Sequence, residues 1–494
     1  MGLECQQIDV EVDYRHGLSH FAVVGLGDKS VQESKERIIS AIKNSTAEFV
    51  PKRIIVNLAP ADIPKSGPIF DLAIAAGYLL ATGQVNFDPT DKIFLGELAL
   101  DGGLRPVKGV LALVDGLKKL GFKQIFLPAA NVAEAALISG IEFFSLNSLN
   151  ELIGHFQNQP IPPFRSQTLE PTSTYTAPDL ADVKGLLHAK RALEIVAAGG
   201  HNLLLYGVPG AGKTYLARCL PGILPAMTID EALEVTKIYS VSGLLPPNGY
   251  LLGQRPFRSP HHTSSRVALI GGGPLPQPGE ISLANRGVLF LDEFPEFTTA
   301  SIEALRQPLE DKEVHIARAL GRVSFPANFM LIAAMNPCKC GHWGDKEIAC
   351  TCSLREKLAY QRRISGPILD RIDVRVRVDK LSKDELLSST LSESSDVIRQ
   401  RVQFARERQW QRLQGSGAYT NADMNQKQLK QFCAVDSSTH RLLEHAIQRF
   451  SLSARGFHRL LKVARTIADL EVEESIKQQH IAEALSYRQY SLEV

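Results

Sequence analysis

The sequence has little that would place it in a membrane, outside the cell or on a strongly charged partner. Its longest apolar run, residues 69–81, contains Asp71 and is shorter than the roughly 20 residues that a membrane helix needs. The start of the chain is acidic and lacks the apolar core of a secretory signal. The formal net charge is only +2, so bulk charge indicates no polyanionic partner. We therefore expect a cytoplasmic protein with no membrane partner.

Cysteine is also scarce, and its distribution is uneven. Seven cysteines in 494 residues are too few for a disulfide framework. Cys5, Cys219 and Cys433 are isolated, and we expect them to be buried small hydrophobic residues. The other four fall within residues 338–352, a density that favours a local metal or redox site.

The rest of the composition is that of a globular chain, with 44% apolar and 22% charged residues. The length suggests roughly three domains. Residues 157–178 are rich in proline and show no sustained apolar period, so we expect an extended linker there. The predicted domains are therefore 1–156, 179–380 and 381–494, the last of them helical and charged.

Periodicity predicts alternating helices and strands in the first domain. The predicted elements are helices at 29–45, 70–82 and 110–120, strands at 53–58 and 124–127, and a hairpin within 93–106. In the second domain we expect a helix at 186–199 and a strand at 201–206. The runs 288–291 and 329–334 are almost continuously apolar, which is typical of parallel strands buried on both faces. The sequence thus predicts an α/β fold.

A glycine-rich motif follows the strand predicted at 201–206. It matches G-x-x-x-x-G-K-[ST] and lies between a predicted strand and a predicted helix, as a phosphate-binding loop requires. Its backbone would surround phosphate oxygens with the residues Gly207, Pro209, Gly210 and Gly212. Lys213 would reach the β- and γ-phosphates, and the Thr214 hydroxyl would bind Mg²⁺. We therefore expect ATP and Mg²⁺ as ligands.

Two acidic residues end the apolar strand predicted at 288–291. Asp292 is placed to hold Mg²⁺ together with Thr214, and Glu293 is placed to polarise the attacking water. An acidic strand end is weak evidence alone, but it gains weight from the phosphate-binding loop. The next apolar strand ends before Asn336, which we expect to face the γ-phosphate. The alternative for Asn336 is a simple turn before Pro337.

Two arginines are candidates for contacts with the γ-phosphate. Arg371 lies where a neighbouring subunit could receive it, and a trans arginine would neutralise charge on the transferred phosphoryl group. The alternative is a structural ion pair with Asp370 or Asp373. Arg455 lies at the start of a predicted C-terminal helix and would approach the γ-phosphate from there. Arg459 competes with it for this role.

The cysteine cluster has the pattern C-x-C-x9-C-x-C. Four thiolates, those of Cys338, Cys340, Cys350 and Cys352, would close a tetrahedral structural zinc site. The C-x-C pairs are tighter than the usual C-x2-C spacing, so a redox-sensitive or empty cluster stays open. His342 is a substitute ligand.

Five arginines fall between residues 399 and 412. A solvated helix face explains them, and a nucleic-acid contact is the alternative.

These motifs, in this order, resemble an AAA+ ATPase. Residues 254–265, 271–274 and 278–285 are more specific, and they resemble the magnesium-chelatase-like branch and, within it, the ComM/YifB group. Asn285 stands where that group usually has histidine, and Arg286 is bulkier than expected. We interpret both as local variation before the strand at 288–291.

The resemblance implies two insertions in the AAA+ core and a C-terminal helical lid. One insertion would lie in the helix-2 region, at about 240–280. The other is a hairpin before the sensor-1 strand, at 314–325, which would carry Arg318 and Arg322 towards a central pore. Arginines at such a tip suit DNA phosphates, whereas a surface hairpin with solvated arginines is the alternative.

The first domain resembles the Lon protease domain, whose fold is of the ribosomal protein S5 domain 2 type. The similarity lies in residues 64–71 and 96–107. Ile69 occupies the position of the serine nucleophile and Leu111 that of the lysine base, so the catalytic dyad is missing. The resemblance implies a protease-like fold without protease chemistry. DNA contact and ring assembly both remain open as its role.

The resemblance implies a homo-hexameric, ATP-driven DNA translocase or helicase. It would promote branch migration of homologous-recombination intermediates in natural transformation, the competence pathway, with single-stranded and branched DNA as partners. The alternative is a chelatase-type remodelling ATPase that acts on a protein partner. ATP-dependent proteolysis is opposed by Ile69 and Leu111. The direction of translocation, the preferred DNA structure and the need for DNA or ATP in ring assembly stay open.

Overall fold

A computed structural model describes residues 3, 5–16, 18–165, 177–246, 251–273, 276–318, 321–382, 385, 392–450 and 452–488. Up to residue 156 the elements are β1 Asp9–Arg15, β2 His20–Val24, α1 Lys29–Lys43, β3 Arg53–Ala59, α2 Asp71–Ala81, β4 Lys92–Phe94, β5 Glu97–Leu98, β6 Leu104–Arg105, α3 Val110–Lys119, β7 Gln124–Pro128, α4 Ala129–Ala135, β8 Glu142–Leu146 and α5 Leu149–Phe156.

The following elements carry the phosphate-binding motif and its neighbours. They are α6 Leu187–Gly199, β9 Leu203–Tyr206, α7 Lys213–Ile223, α8 Ile229–Ser242, β10 Phe257–Arg258, α9 Arg266–Ile270, β11 Gly271–Gly272, β12 Gln277–Pro278, α10 Glu280–Leu283, β13 Val288–Leu291, α11 Thr299–Ala304, α12 Arg306–Asp311, β14 Glu313–Arg318, β15 Gly321–Pro326 and β16 Met330–Met335. The remainder is helical apart from one strand: α13 Leu354–Gln361, α14 Gly366–Leu369, β17 Val374–Arg377, α15 Ser395–Leu413, α16 Gln426–Phe432, α17 Ser437–Phe450, α18 Ala454–Leu470 and α19 Gln478–Ser486.

The chain forms two compact units that do not follow the sequence order. The first contains Met1–Thr172, Ile229–Gly253 and His315–Ser324, and the second contains Ser173–Thr228, Gln254–Val314 and Phe325–Val494. Among the described residues, no helix is both long and apolar enough to cross a bilayer.

The first unit contains two three-stranded sheets. In one, β1 pairs antiparallel and β2 pairs parallel with the central β3. In the other, β4, β7 and β8 are parallel. The predicted hairpin at 93–106 is confirmed for β5 and β6, which pair antiparallel. The prediction was wrong for β4, because its Ile93 lies opposite Ile125 of β7 instead of pairing within the hairpin.

A buried ion pair joins the first two helices of this unit. Asp71, at the start of α2, is fully buried and accepts hydrogen bonds from the guanidinium of Arg37 on α1 at 2.7 and 3.1 Å. Burial raises the pKa of Asp71, and Arg37 opposes that rise. The pair explains how an acid can sit inside the longest apolar run of the sequence.

Helix α8 packs with the first unit even though it follows the phosphate-binding helix in sequence. Lys237 forms an ion pair with Asp115 of α3 at 2.8 Å, and the Ser240 hydroxyl donates to Glu134 at 2.5 Å. Leu233 packs against the apolar cluster around α3 and β7. A mixture of apolar and polar contacts therefore holds this segment.

The second unit is built on a five-stranded sheet. Its order is β10-β13-β16-β9-β17, and all of its neighbouring strands are parallel. Every residue of β13 and β16 is buried, which confirms the prediction of parallel strands covered on both faces. Residues of α6, α7, α15 and α18 share the hydrophobic core of this sheet.

The arginines of α15 have partners inside the second unit. Arg401 pairs with Glu194 at 2.6 Å, Arg412 pairs with Asp469 at 2.5 Å, and Arg406 donates to the carbonyl oxygen of Ala197. Arg399 pairs with Asp396 and Arg408 donates to a backbone carbonyl of residue 473. Four of these arginines bind neighbouring elements and Arg399 binds within its own helix, so a freely solvated face does not describe α15, while the nucleic-acid contact stays an alternative.

Strands β14 and β15 form a two-stranded sheet where the sequence predicts a hairpin. Arg318 and Arg322 lie on these strands, but their side chains fall outside the described part of the chain, as do residues 319 and 320. Their role as DNA contacts therefore stays a prediction.

Candidate nucleotide site

The phosphate-binding loop connects β9 to α7 across residues 207–212. Gly210 and Gly212 have φ angles of 77° and 89°, in the left-handed region that favours glycine. At Gly207, a Cβ atom would lie 2.0 Å from the carbonyl oxygen of Val378, so no side chain fits. The loop therefore needs glycine both for its turn and for its contact with the chain after β17.

Lys213 is the first residue of α7, and its ammonium group points into the loop. It donates to the carbonyl oxygens of Gly207 at 2.6 Å and Val208 at 2.9 Å, and to Oδ1 of Asn336 at 3.1 Å. Burial lowers the pKa of Lys213 to about 8, and the charge of Asp292 partly opposes this effect. The ammonium is thus held where phosphate oxygens could replace carbonyl acceptors.

Thr214 and Asp292 form the candidate magnesium site. The Thr214 hydroxyl donates to Oδ2 of Asp292 at 2.7 Å, and Asp292 follows the last residue of β13 directly. A hydroxyl and a carboxylate oxygen at this separation are hard ligands of the kind that Mg²⁺ prefers, so the donor set fits the ion.

Glu293 follows in a left-handed backbone conformation, with φ of 51°. Its backbone N–H donates to Oδ1 of Asp292 at 2.9 Å, and its side chain is 56% exposed. Nδ1 of His262 lies 3.1 Å from the Glu293 carboxylate. His262 lies within residues 254–265, whose resemblance to the family did not indicate this contact.

The strand order explains why these residues meet. β16 lies between β13 and β9, and the carboxyl ends of parallel strands share one edge of the sheet. Asn336 follows β16 at this edge, between Asp292 and the phosphate-binding loop. The structure thereby brings together the predicted residues Lys213, Thr214, Asp292 and Asn336.

Arg371 and Arg455 meet at an acidic residue that the sequence analysis missed. The Arg371 side chain is only 2% exposed and lies 2.6 Å from the carboxylate of Glu310, while its Nη1 donates to the carbonyl oxygen of Pro367. Arg455 is 63% exposed and lies 3.1 Å from the same carboxylate. Arg371 lowers the pKa of Glu310 by hydrogen bonding. Arg371 thus has an ion-pair partner, but it is neither Asp370 nor Asp373.

Asp373 pairs with Arg459 instead. Nη1 of Arg459 lies 2.5 Å from Asp373 and also donates to the carbonyl oxygen of Arg371 at 2.8 Å. Burial alone would raise the pKa of Asp373, but Arg459 and the backbone N–H of Asn202 hold it below its usual range. Arg459 therefore ties α18 to the start of β17.

The four clustered cysteines converge as the spacing predicts. Sγ of Cys338 lies 3.4 Å from that of Cys340 and 3.7 Å from that of Cys350, and the four sulfurs all lie within 4.8 Å of one another. Tetrahedral zinc with Zn–S bonds of about 2.3 Å requires sulfurs roughly 3.8 Å apart, so the donor set fits zinc. His342 pairs with Asp345 at 3.2 Å and is not needed as a ligand.

The isolated cysteines follow the prediction in two cases. Cys219 and Cys433 are buried, and burial raises the pKa of each thiol to about 12. Cys5 is only partly buried, so the prediction was wrong there.

The cysteine loop also contacts the phosphate-binding loop. A Cβ atom on Gly341 would lie 2.7 Å from Cγ of Pro209, so the two loops approach closely. Gly341 has a φ angle of 87° and lies between the two cysteine pairs in sequence. An interaction that fixes the cysteine loop, residues 338–352, therefore also limits the space around Pro209.

In the first unit, the two positions of the missing protease dyad are occupied by apolar side chains. Ile69 lies on a short 3-10 turn, Pro68–Phe70, and Leu111 is fully buried on α3. Neither can act as a nucleophile or a base.

Three family models match the chain in sequence order. Subunit ChlI of Mg-chelatase matches residues 10–131, magnesium chelatase subunit ChlI matches 179–386, and the ChlI C-terminal model matches 392–488. Competence protein ComM of Haemophilus influenzae is 42% identical over 99% of this chain and 96% of its own length. The chain belongs to the magnesium-chelatase-like AAA+ family, in the ComM/YifB group. Membership of this ATPase family implies ATP hydrolysis with Mg²⁺.

Other relatives differ in how much of the chain they match. YifB of Salmonella typhimurium is 42% identical over 99% of this chain and 95% of its own length. Lon protease 2 of Bacillus subtilis is 26% identical over 29% of this chain and 27% of its own length. The Lon similarity is therefore weak and partial.

Asn285 and Arg286, where the resemblance leads us to expect other residue types, have structural roles. Asn285 is fully buried and accepts a hydrogen bond from the backbone N–H of Asn328 at 2.8 Å. Arg286 has a φ angle of 61°, and its guanidinium lies 4.8 Å from the ring centre of Tyr419. Both residues help to fix the segment before β13.

Proposed function

We propose that this chain is an ATP-driven DNA translocase that works as a homo-hexamer in the cytoplasm and promotes branch migration of recombination intermediates during natural transformation. The observation that carries the proposal is the convergence of Lys213, Asn336, Thr214 and Asp292 at one sheet edge. The similarity to a competence protein along nearly the whole chain supports the choice of DNA as substrate.

In the proposed cycle, ATP binds with its phosphates along residues 207–214. Lys213 exchanges its carbonyl acceptors for phosphate oxygens, and Thr214 and Asp292 hold Mg²⁺, which when bound neutralises phosphate charge. Glu293 accepts a proton from the attacking water, and the side chain of Asn336 faces the γ-phosphate.

We propose that Arg371 completes the site of a neighbouring subunit and that Arg455 contacts the γ-phosphate from the C-terminal helices. Both roles require these arginines to exchange Glu310 for phosphate, since both pair with that carboxylate in the single chain. A shared carboxylate would keep the two guanidinium groups in place until the nucleotide binds.

We also propose the following domain boundaries and the role of each segment. Residues 1–156 form a protease-like domain without protease activity, 157–178 a linker, 179–380 the AAA+ core with its helix-2 and pre-sensor-1 insertions, and 381–494 the lid. Arg318 and Arg322 contact the DNA backbone, and Cys338, Cys340, Cys350 and Cys352 hold a structural zinc ion.

The proposal is tested by following strand exchange in a synthetic mobile four-way junction with wild-type protein, Lys213→Ala and Arg218→Ala. Arg218 is an exposed cation on the same helix and serves as the matched control. We expect Lys213→Ala to abolish ATP-dependent branch migration and Arg218→Ala to retain it. Branch migration by Lys213→Ala would contradict the site, and its absence from the wild type would favour a remodelling ATPase with a protein partner.

A further inference from the structure

The turn that carries Arg371 lies at the sheet edge opposite the candidate nucleotide site. Leu203, the first residue of β9, is paired with Ile332 of β16 and with Val374 of β17 in parallel register. Arg371 lies shortly before β17, whereas the phosphate-binding loop follows the last residue of β9. β9 is four residues long, so the strand alone separates its two ends by about 13 Å. This placement suits an arginine that serves a neighbouring site better than one that serves its own.

Asn202, directly before β9, attaches this turn to the sheet. Its Nδ2 donates to the carbonyl oxygen of Arg371 at 2.9 Å, and its Oδ1 accepts from the backbone N–H of Leu331 in β16 at 2.9 Å. Its own backbone N–H donates to Oδ2 of Asp373 at 2.9 Å, and its carbonyl oxygen accepts from the N–H groups of Asp373 and Val374 at 3.1 Å. Asn202 is only 7% exposed, so water cannot easily replace these bonds.

The partners decide which end of the Asn202 amide is the donor. A backbone N–H such as that of Leu331 can only donate, and a carbonyl oxygen such as that of Arg371 can only accept. The amide therefore satisfies both partners in one orientation and neither in the flipped one. One side chain thus connects β16 with the turn before β17, across the strand that leads into the phosphate-binding loop.

A second donor holds the same carbonyl oxygen. Nη1 of Arg459 on α18 donates to the carbonyl oxygen of Arg371 at 2.8 Å and lies 2.5 Å from Asp373. The guanidinium of Arg371 is held separately, by its ion pair with Glu310 at 2.6 Å. If the guanidinium leaves Glu310, the bonds to the carbonyl oxygen can therefore stay in place and keep the backbone of Arg371 fixed.

We propose that Asn202 is a positioning residue that fixes the backbone of Arg371 to the nucleotide-binding sheet, so that the guanidinium is directed to the phosphates of a neighbouring subunit. The proposal rests on the proposed trans role of Arg371. Asn202 lies at the amino end of β9 and acts only through Arg371. Its loss should therefore slow turnover at the neighbouring site without changing nucleotide affinity at its own.

The first test compares Asn202→Asp with wild type in steady-state ATP hydrolysis, nucleotide binding and thermal melting. Aspartate keeps the shape and the acceptor for the N–H of Leu331, but an ionised carboxylate cannot donate to the carbonyl oxygen of Arg371. We expect kcat to fall about tenfold, with KM and nucleotide affinity changed less than about twofold. Asn202→Ala removes the same donor without adding charge and should give the same loss, which keeps the test valid if the aspartate variant does not fold.

Asn131→Asp is the matched control. Asn131 is also buried, and its side chain donates to the carbonyl oxygen of Val107 and accepts from the N–H of Val107, both at 2.9 Å. It belongs to the first compact unit, so the substitution removes an equivalent bond without touching the turn of Arg371. We expect a lower melting temperature and a kcat within about twofold of wild type.

Mixed rings separate positioning from a structural role within the same subunit. Lys213→Ala subunits keep both Asn202 and Arg371, so they should restore turnover by Asn202→Asp subunits. The double variant of Lys213→Ala with Asn202→Asp should instead impair its neighbours. In excess, it should lower turnover per wild-type subunit about tenfold compared with the same excess of Lys213→Ala. A double variant that lowers turnover no more than Lys213→Ala would overturn the proposal.

Arg371→Ala shows which assignment fails. If Arg371→Ala is inactive but both Asn202 variants turn over like wild type, the positioning role is wrong while the trans arginine stands. If Arg371→Ala turns over normally, the trans role fails and the role of Asn202 fails with it.

Discussion

Lys213 is the residue at which we expect nucleotide binding to change a protonation equilibrium. Its ammonium is buried among carbonyl oxygens, and this burial lowers its pKa to about 8. Phosphate oxygens carry full negative charge and stabilise the protonated form, so nucleotide binding should raise that pKa again. Binding is therefore linked to proton uptake in the pH range just above the lowered value.

We predict that ATP binding takes up close to one proton at about pH 9 and much less at about pH 7. The sign follows from the direction of the shift: above the lowered pKa the free lysine is mostly neutral, and the bound lysine is charged. The apparent affinity should therefore fall as the pH rises. Titration calorimetry in buffers of different ionisation enthalpy measures the proton count. Lys213→Arg is the control, since a guanidinium does not titrate, and uptake that persists in this variant would contradict the assignment.

Arg371 is a residue for which the sequence leaves two roles open, a trans arginine and a structural ion pair. The sequence places it where a neighbouring subunit could receive it, whereas in the single chain it is buried on Glu310. Its burial next to the Glu310 carboxylate is what a structural ion pair requires. A trans role would require Arg371 to leave this carboxylate. Measurements on the assembled oligomer are therefore needed to distinguish the structural ion pair from the trans role.

For Arg371→Ala we expect turnover to fall by about 10³-fold while nucleotide binding is largely retained. Rings mixed with Lys213→Ala subunits, whose Arg371 is intact, should regain partial activity. A thermal melt controls for loss of the buried ion pair. Wild-type turnover by Arg371→Ala would exclude the trans role.

At the scale of elements, the sequence predicts best where the pattern is local. The buried runs at β13 and β16 and the glycine loop each carry their own signal, and so the nucleotide site could be predicted before the sheet order was known. The pairing of strands could not be predicted in this way, because the sequence of β4 resembles part of a hairpin although β4 pairs with β7. Ion pairs between distant elements, such as Arg401 with Glu194, could not be predicted either, because they produce no periodic pattern in the sequence.

The arginines of α15 and those of the β14–β15 hairpin should respond differently to substitution. Arg412→Ala leaves the fully buried Asp469 with fewer partners and should reduce the free energy of unfolding by about 3 kcal/mol. Arg318→Ala with Arg322→Ala should leave stability unchanged and reduce the slope of log affinity for DNA against log salt by about two. Denaturant unfolding and salt titrations of DNA binding measure these effects. An unchanged salt slope in the double variant would exclude the hairpin contact.

The cysteine cluster makes a prediction at the same scale. The purified protein should contain about one zinc per chain, and Cys340→Ser with Cys350→Ser should lose it and melt at a lower temperature. Because Gly341 packs on Pro209, the variant should also bind ATP more weakly. Cys5→Ser, outside the cluster, is the control. Metal analysis that finds no zinc in protein prepared without chelator would support the redox-sensitive or empty alternative.

At the scale of the whole molecule, the two compact units interleave along the chain in a way that composition does not reveal. The proline-rich stretch at 157–178 predicts a linker from composition alone. The packing of α8 with α3 and α4 instead depends on Lys237 and Ser240 meeting Asp115 and Glu134, more than a hundred residues earlier. The proposed function would likewise depend on contacts between subunits and with DNA, which neither motif spacing nor a single chain contains.

We propose, above all, that this AAA+ protein is a motor that acts on DNA. The most direct measurement is ATP hydrolysis by the purified protein without DNA, with single-stranded DNA and with a four-way junction, using Lys213→Ala as control. We expect DNA to stimulate hydrolysis, the junction to stimulate it most, and Lys213→Ala to show no hydrolysis at all. Robust hydrolysis that is the same with and without every DNA would contradict it.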